Sequence, residues 1–346
     1  MNFIGADVHS LNFTMSFLNQ DGKLVRLWDR HTSERNLIEV VQKIPGPKTL
    51  VVEESHVAQW VKHCLEAYVD HLIICDPRRN RLIAEEDFAD DKSSAIQLAI
   101  LARGGYIKEI RHSNDEGAAL RGLFLHYFDL NKQGVRFKNK VKGTYRQVAI
   151  RELGDGIYDP KQRQEWLGRL KGFPHLARQA RHLFILIDQV ETLKNQTYKS
   201  MTKIASKRSA YQLLQTIPGV GPVLATGYIA ILDTPHRFSR RNKLWRYACL
   251  GNCYHKSDDI VYKDRPSKTG NRVLRWVVRT HYHAAVETPK KKNRFMRKQQ
   301  DLLRRGVHEK ATRRHVCRSL LSTVRAVWIK EEAYRDRVRR PQSKQR

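Results

Sequence analysis

The sequence lacks the features of a membrane or a disulfide-bonded protein. None of its 346 residues lie in a run approaching the roughly 18 to 20 consecutive apolar residues of a membrane span. A charged residue, Asp7, comes too early for a signal peptide. The five cysteines have no regular spacing, which argues against a disulfide framework. We therefore expect a soluble, cytoplasmic protein with no membrane partner.

Acidic residues are scarce relative to basic ones. The chain has 65 Lys and Arg against 35 Asp and Glu, a formal net charge of +30. The excess is uneven, because residues 289–346 hold 20 Lys and Arg and 5 acids, which is half of the net charge. This balance predicts a polyanionic partner, and contacts to phosphates would bind nucleic acid without reading its sequence.

The first 110 residues alternate strand and helix patterns. Alternating apolar runs between Phe3 and Trp28 predict three strands, with a turn at residues 19–22. Helical patterns at 34–44, 57–68 and 93–103 then alternate with strand patterns at 49–53 and 71–75. A meander followed by alternating helices and strands is typical of an RNase H-like α/β fold.

Residues 115–210 have helical patterns, and one of them includes a long apolar stripe. The stripe recurs at helical spacing through Leu183, Leu186, Ile187, Val190 and Leu193. It predicts a coiled-coil arm for oligomerisation, with an ordinary bundle helix as the alternative.

A glycine-rich connection follows at residues 217–222, between two helical segments. It predicts a helix-hairpin-helix turn, in which Gly219 and Gly221 let the backbone approach a phosphate at the start of the next helix.

Acidic residues stand where an RNase H-like fold would gather them. Asp7 ends the first strand, Glu53 and Glu54 end the strand at 49–53, and Asp90 and Asp91 precede the helix predicted near Ser93. Acids that follow apolar strands lie at the carboxyl edge of a sheet. Carboxylates converging there are suitable ligands for Mg²⁺ in phosphoryl transfer.

Two blocks of residues resemble the DEDD transposases guided by a bridge RNA, a prokaryotic insertion-sequence family that also includes the pilin-gene invertases. The N-terminal block comprises Ile4 to Asp7, Val51 to Ser55, Asp76-Pro77-Arg78 and Asp91 to Ala95. The C-terminal block comprises Ile217 to Gly221, Arg237-Phe238, Tyr247 to Leu250, Ser257, Ser267 to Arg272 and Leu274-Arg275. The resemblance implies a RuvC-like domain, a coiled-coil insert and a mainly α transposase domain.

The resemblance also implies a set of metal ligands. Asp7 matches the first acid of the family, Glu53 the second with Glu54 as an open alternative, and Asp91 the third. The fourth position, normally Asp, is Ser94 here. Either the site works with three acids plus Asp90 or water, or metal binding and catalysis are impaired.

Ser257 falls where the family has its nucleophilic serine, which implies a covalent serine–DNA intermediate. Ser267 is the competing serine, but its setting is more typical of a turn that contacts phosphate. Four basic residues complete the predicted nucleic-acid contacts: Lys268, Arg272, Arg275 and Arg279. The aromatic residues Trp276 and Tyr282 are interleaved with them.

These observations divide the chain into four predicted segments. They are a RuvC-like catalytic domain at 1–112, a coiled-coil segment at 113–210, a transposase domain at 211–335 and a basic tail at 336–346. The leading hypothesis is a nucleoid-associated DNA transposase or recombinase that binds donor and target DNA, Mg²⁺ and a guide RNA as a homodimer or homotetramer. The alternatives are a protein-directed DNA invertase and a catalytically weakened, host-retained nucleic-acid-binding protein.

Overall fold

The computed structural model describes residues 1–76, 90–151, 154–257, 260–267 and 269–336, and for residues 253–266 it describes the backbone. Pro77, Arg78, Lys268 and the tail beyond Asp336 lie outside the described residues. The chain divides into two compact units, residues 1–118 and 119–346. Within the described part of the chain, no helix combines the length and apolarity that a bilayer-spanning segment requires.

The first unit contains a mixed sheet of five strands. They are β1 (Asn2–Val8), β2 (Asn12–Leu18), β3 (Leu24–His31), β4 (Lys48–Glu53) and β5 (His71–Cys75), in the order β3-β2-β1-β4-β5. The first three form an antiparallel meander, and β4 and β5 continue the sheet parallel to β1. This order is compatible with the predicted RNase H-like fold.

Helices cover both faces of this sheet. Alternate strand residues point to opposite faces, so Leu50 and Val52 face one side and Val51 the other. Leu50 and Val52 pack in a core with α1 (Glu34–Gln42) and α2 (Ala58–Leu65). Val51 packs instead with Leu98 of α3 (Asp91–Arg103). A short 3-10 turn, Glu66–Tyr68, follows α2.

Helix α3 lies directly against β1 because Gly5 has no side chain. A Cβ atom at Gly5 would overlap the carbonyl oxygen of Ala95 and come within 2.7 Å of the amide nitrogen of Ala99. The buried Ser16 hydroxyl on β2 donates to the same Ala95 carbonyl at 2.7 Å. The first turn of α3 is thereby held over the sheet.

The helical middle of the chain has α4 (Asp115–Arg146), the 3-10 turn Asp155–Tyr158, α5 (Arg163–Gly168) and α6 (Pro174–Ala205). In the predicted stripe on α6, Leu183, Ile187 and Val190 are buried, and the first two join a core shared with α4 and α5. Leu186 and Leu193 are exposed. The buried half of the stripe therefore packs as a bundle helix does, and the role in oligomerisation stays a prediction.

The remainder of the chain is mainly helical, as expected, around one large core. Its helices are α7 (Ser209–Gln215), α8 (Pro222–Leu232), α9 (Arg241–Tyr247), α10 (Arg272–Tyr282), α11 (Arg294–Arg304) and α12 (Glu309–Lys330). A 3-10 turn at Pro235–Arg237 and a π-helical turn at His283–Glu287 connect some of them. Between α9 and α10 lies a hairpin that the sequence analysis did not predict, formed by β6 (Asn252–Ser257) and β7 (Ile260–Pro266).

Candidate functional site

The parallel pairing of β1 with β4 brings two of the predicted acids side by side. The last registered pair is Ala6 with Val52, so Asp7 and Glu53 follow next on neighbouring strands. Asp7 lies two residues beyond Gly5, and Glu53 two residues beyond Val51, which are the residues that face α3. Both carboxylates therefore project from the same face of the sheet, toward the start of α3.

The third acid comes from the first turn of α3. The helix begins at Asp91 and not near Ser93, because Asp90 is the N-cap and its carboxylate accepts the Ser93 amide N–H at 2.7 Å. Ser94 lies three residues beyond Asp91, on the same side of the helix. Asp90 is thus occupied as a cap, and Asp91 is the acid of this pair that reaches the sheet edge.

A histidine that the sequence analysis missed completes the cluster. One ligand atom each from Asp7, His9 and Asp91 lies within 4.8 Å of the others. His9 Nε2 is 3.3 Å from Asp7 Oδ1 and 3.9 Å from Asp91 Oδ1. The signal was present in the sequence, because His9 lies two residues after Asp7 and so projects from the same face.

The electrostatics of the cluster fit a cation site. Burial raises the pKa of the Asp7 carboxyl, and the nearby Asp91 charge raises it further, against the opposing effect of His9. Burial and the Asp7 charge likewise raise the pKa of Glu53. Among the described residues, His9 is the only basic side chain within ion-pair distance of Asp7 or Asp91. A divalent cation bound by these oxygens would relieve their mutual repulsion.

The alternative acid, Glu54, is engaged elsewhere. Its Oε2 lies 2.6 Å from His112 Nε2, and the other ring nitrogen of His112 lies 2.9 Å from Gln59 Oε1. Since Glu54 follows Glu53 by one residue, it projects away from Asp7. The geometry therefore groups Asp7, His9 and Asp91, places Glu53 beside them on the strand next to Asp7, and leaves Glu54 and Asp90 outside the group.

The predicted nucleophile lies at the end of the β6–β7 hairpin. Ser257 is the last residue of β6 and pairs with Ile260, so its backbone is at the hairpin tip. Its side chain lies outside the described residues. The competing Ser267 is buried, and its hydroxyl is 2.8 Å from that of Thr269. Ser267 therefore stabilises a turn, and the predicted contact at Lys268 lies outside the described residues.

Helix α10 presents two of its three predicted arginines to solvent. Arg272 and Arg279 are exposed and Arg275 is half-buried. The expectation that the interleaved aromatics contact nucleic acid is wrong for buried Tyr282 and stays a prediction for Trp276, which is half-buried. The Trp276 ring packs edge-on against Phe128 at a centroid distance of 5.0 Å, and Tyr282 is buried. Both rings pack against the protein because they continue the apolar face of an amphipathic helix.

The glycine turn before α8 is held from inside the protein. Gly219 has φ +83°, and a Cβ atom there would come within 2.7 Å of the Ala285 amide nitrogen. The carbonyl oxygen of Pro218 accepts the Nε2–H of buried His281 at 2.9 Å. Gly221, the N-cap of α8, has open space where a side chain would lie. Of the two glycines, Gly221 is the one that leaves room for an approaching phosphate.

A basic cavity of about 690 Å³ lies between α9, α11 and α12. Six cationic side chains line it: Arg241, Arg294, Lys298, Arg318, Lys330 and Arg335. Glu332 is the only acid among the described lining residues. Burial, together with the Arg294 and Arg241 charges, lowers the pKa of the Lys298 ammonium. Because this positive potential is poorly neutralised, the cavity is a candidate contact for the nucleic-acid backbone.

Part of the chain matches a known protein family. Residues 211–299, about a quarter of the chain, match the family model described as the transposase IS116/IS110/IS902 family. No curated protein matches the chain significantly. The match covers the segment with the glycine turn, the hairpin and α10, and it supports an IS110-type transposase, hence a DNA-binding transposase or recombinase in general terms.

Proposed function

We propose that this protein is a DNA transposase or site-specific recombinase that cleaves and rejoins DNA strands through a covalent bond to Ser257. The observation that carries the proposal is the cluster of Asp7, His9 and Asp91, with Glu53 on the neighbouring strand, in a chain whose residues 211–299 match a transposase family. Acids that converge at a sheet edge, with raised pKa values at Asp7 and Glu53, favour metal-assisted phosphoryl transfer.

The chemistry assigned to Ser257 is a phosphoryl transfer. Its Oγ attacks the phosphorus of a DNA phosphodiester, the Oγ–P bond forms, and the bond from phosphorus to the 3′ oxygen breaks. The serine loses its proton, and the leaving 3′ oxygen takes one up and becomes a hydroxyl. A different 3′ hydroxyl can later attack the phosphoserine, so the strands rejoin without ATP.

Asp7, Glu53 and Asp91 would hold Mg²⁺, which supplies charge stabilisation for the attacking and leaving oxygens. The residues near the Mg²⁺ position have different roles. The three carboxylates place negative charge at the sheet edge and would orient the cation there. The Asp90 cap keeps the first turn of α3 in place. His9 Nε2, 3.3 Å from Asp7 Oδ1, places an imidazole nitrogen beside the carboxylates.

The resemblance to the bridge-RNA-guided transposases extends the proposal to partners. We assign the selection of target DNA to base pairing with a guide RNA, while the protein contacts backbone and shape. We also assign the serine and the carboxylates of one active site to different subunits of a homodimer or homotetramer. The basic cavity and the exposed arginines of α10 support contact with a polyanion.

The test is the formation of a protein–DNA adduct. The protein is incubated with a supercoiled donor plasmid, RNA transcribed from the flank of its gene, and Mg²⁺, and adducts are resolved on a denaturing gel. Ser257→Ala should abolish the adduct, while Ser206→Ala, a control at an exposed helix end, should leave it unchanged. An adduct that survives Ser257→Ala would overturn the assigned nucleophile.

The same assay separates the alternative functions. Adducts that form without added RNA would favour a protein-directed invertase. DNA binding without any adduct would favour a catalytically weakened binding protein, the candidate that Ser94 supports, because a neutral hydroxyl stands where the resembled family has a fourth acid.

A further inference from the structure

The hydroxyl of Tyr247 lies among polar groups at the base of the β6–β7 hairpin. Tyr247 ends α9, just before β6, and Asn271 precedes α10, just after β7. The Asn271 backbone N–H donates to the Tyr247 carbonyl at 2.6 Å, and the Asn271 Nδ2 donates to the Tyr247 hydroxyl at 3.2 Å. The two residues therefore join the two ends of the hairpin whose tip carries Ser257.

The orientation of the Asn271 amide is determined by its role as a helix cap. Its Oδ1 accepts the Leu274 amide N–H at 2.8 Å, as the N-cap of α10. The Nδ2 group is then the one that faces Tyr247, and an amide NH₂ only donates. The Tyr247 oxygen is therefore an acceptor in this contact.

Two arginines converge on the same phenol. The Arg237 guanidinium carbon lies 4.8 Å from the centre of the Tyr247 ring, and the Arg121 guanidinium also acts on this phenol through its charge. Neither arginine pairs with a carboxylate among the residues that the structure describes. Burial alone would raise the pKa of Tyr247, but the charges of Arg237 and Arg121, with the hydrogen bond from Asn271, lower it below its ordinary value.

The neighbours of the Tyr247 hydroxyl are donors and do not accept its proton. The Asn271 NH₂ group and a guanidinium are donors only, so the Tyr247 oxygen accepts from Asn271, and Arg121 offers it no acceptor. The O–H proton of Tyr247 needs an acceptor that neither Asn271 nor Arg121 provides. That acceptor would lie beside the positive charges of Arg121 and Arg237. A phosphate oxygen is both an acceptor and an anion, and guanidinium groups bind phosphate through paired N–H donors.

We propose that Tyr247, Arg121 and Arg237 form a binding site for a phosphodiester of the nucleic-acid backbone. This site deepens the proposed function, on which it rests for its substrate class. Five residue steps along β6 separate the hairpin base from Ser257, about 17 Å at about 3.3 Å per residue. The bound phosphate is therefore a flanking one, and it is distinct from the phosphate that Ser257 attacks.

The first measurement is the affinity for a short DNA duplex and for an RNA duplex of the same sequence, in EDTA, so that no strand exchange contributes. Tyr247→Phe keeps the ring beside Phe238 and removes the hydroxyl. We expect it to weaken binding about tenfold, the effect of one hydrogen bond to a charged group. Arg237→Gln and Arg121→Gln should each lower the slope of log affinity against log salt by about one.

Matched variants control for general effects. Tyr106→Phe removes an exposed hydroxyl, and Arg169→Gln removes an arginine that pairs with Glu165 on an exposed helix. Both should leave affinity and salt slope unchanged. The duplex whose affinity falls in Tyr247→Phe relative to the wild type identifies the bound phosphodiester as DNA or RNA.

A second readout does not depend on how stable each variant is. Absorbance at 295 nm follows phenolate formation, and the difference between the wild type and Tyr247→Phe isolates this residue. Bound phosphate should raise the pKa of Tyr247 by disfavouring the phenolate, whereas a purely structural phenol would titrate identically with and without nucleic acid.

The results separate this inference from the proposed function. Unchanged affinity, salt slope and titration in the variants would overturn the phosphate site even if Ser257 forms adducts. Weaker binding by the variants, in a protein that forms no adduct, would support the site and overturn the proposed strand exchange.

Discussion

Replacement of Gly5 by alanine tests how the carboxylate cluster is assembled. The added methyl group would overlap the Ala95 carbonyl oxygen and lie 2.7 Å from the Ala99 amide nitrogen. Ordinary separations are about 3.5 Å, so α3 would have to move away from β1 by about 1 Å. The obstacle is backbone, which cannot rotate aside as a side chain can.

The expected cost has two parts. Forcing a methyl group into a packed interface costs about 1–3 kcal/mol. Lengthening the buried hydrogen bond from Ser16 to Ala95 adds about 1 kcal/mol. We therefore expect the free energy of unfolding to fall by about 2–4 kcal/mol. Because Asp91 starts the displaced helix, it would move relative to Asp7, and Mg²⁺ affinity should fall about tenfold or more.

Urea unfolding followed by circular dichroism measures the first effect, and isothermal titration with Mg²⁺ the second. Gly143→Ala is the matched control, because its Cβ would meet open space within a helix. It should stabilise the protein by about 0.5–1 kcal/mol, as alanine is the better helix former. If Gly5→Ala unfolds like the wild type and binds Mg²⁺ equally well, the reasoning about α3 and β1 is refuted.

Three further predictions concern other parts of the molecule. Glu53→Gln should lower the yield of the Ser257 adduct about 100-fold or more. Glu54→Gln loses the contact to His112, so it should lower thermal stability and leave most of the adduct. Equal adduct yields from the two variants would contradict this assignment. Ser94→Asp should raise Mg²⁺ affinity in calorimetry by adding a carboxylate one helical turn from the cluster, and a decrease would show that serine is the working ligand. Burial holds the pKa of His281 at about 4 against an ordinary 6.5, so the unfolded chain binds this proton more readily. The free energy of unfolding should therefore fall as pH drops from about 6.5 to about 4, by about 3 kcal/mol in total, in urea titrations of the wild type compared with His281→Gln; equal slopes would argue against a buried neutral imidazole.

The first unit was largely predictable because its signals are local. Alternation of apolar residues marked β1 and β2, and helical spacing marked α1 and α3, with boundaries displaced by one or two residues. The start of α3 moved from Ser93 to Asp91, because Asp90 caps the helix. Caps and periodicity act over a few residues, so they can be recognised in the sequence.

Local sequence patterns did not predict the β6–β7 hairpin or the packing of the aromatic residues of α10. The hairpin segment is rich in Lys, Asp and His, and lacks the clean alternation that predicts strands. Trp276 stands beside arginines in the sequence, yet its ring packs against Phe128, about 150 residues earlier. Which face of a helix is buried depends on partners that are distant in the chain.

The sequence by itself determined the strong positive charge, the resemblance to a transposase family and the candidate acids, because composition and motifs are properties of the chain alone. Only the tertiary structure decided which acids meet. Strand pairing placed Glu53 rather than Glu54 beside Asp7, and the close fit of Gly5 under Ala95 brought Asp91 to Asp7. Distances between residues far apart in sequence are set by packing, whereas His9 lies beside Asp7 through its local spacing of two residues.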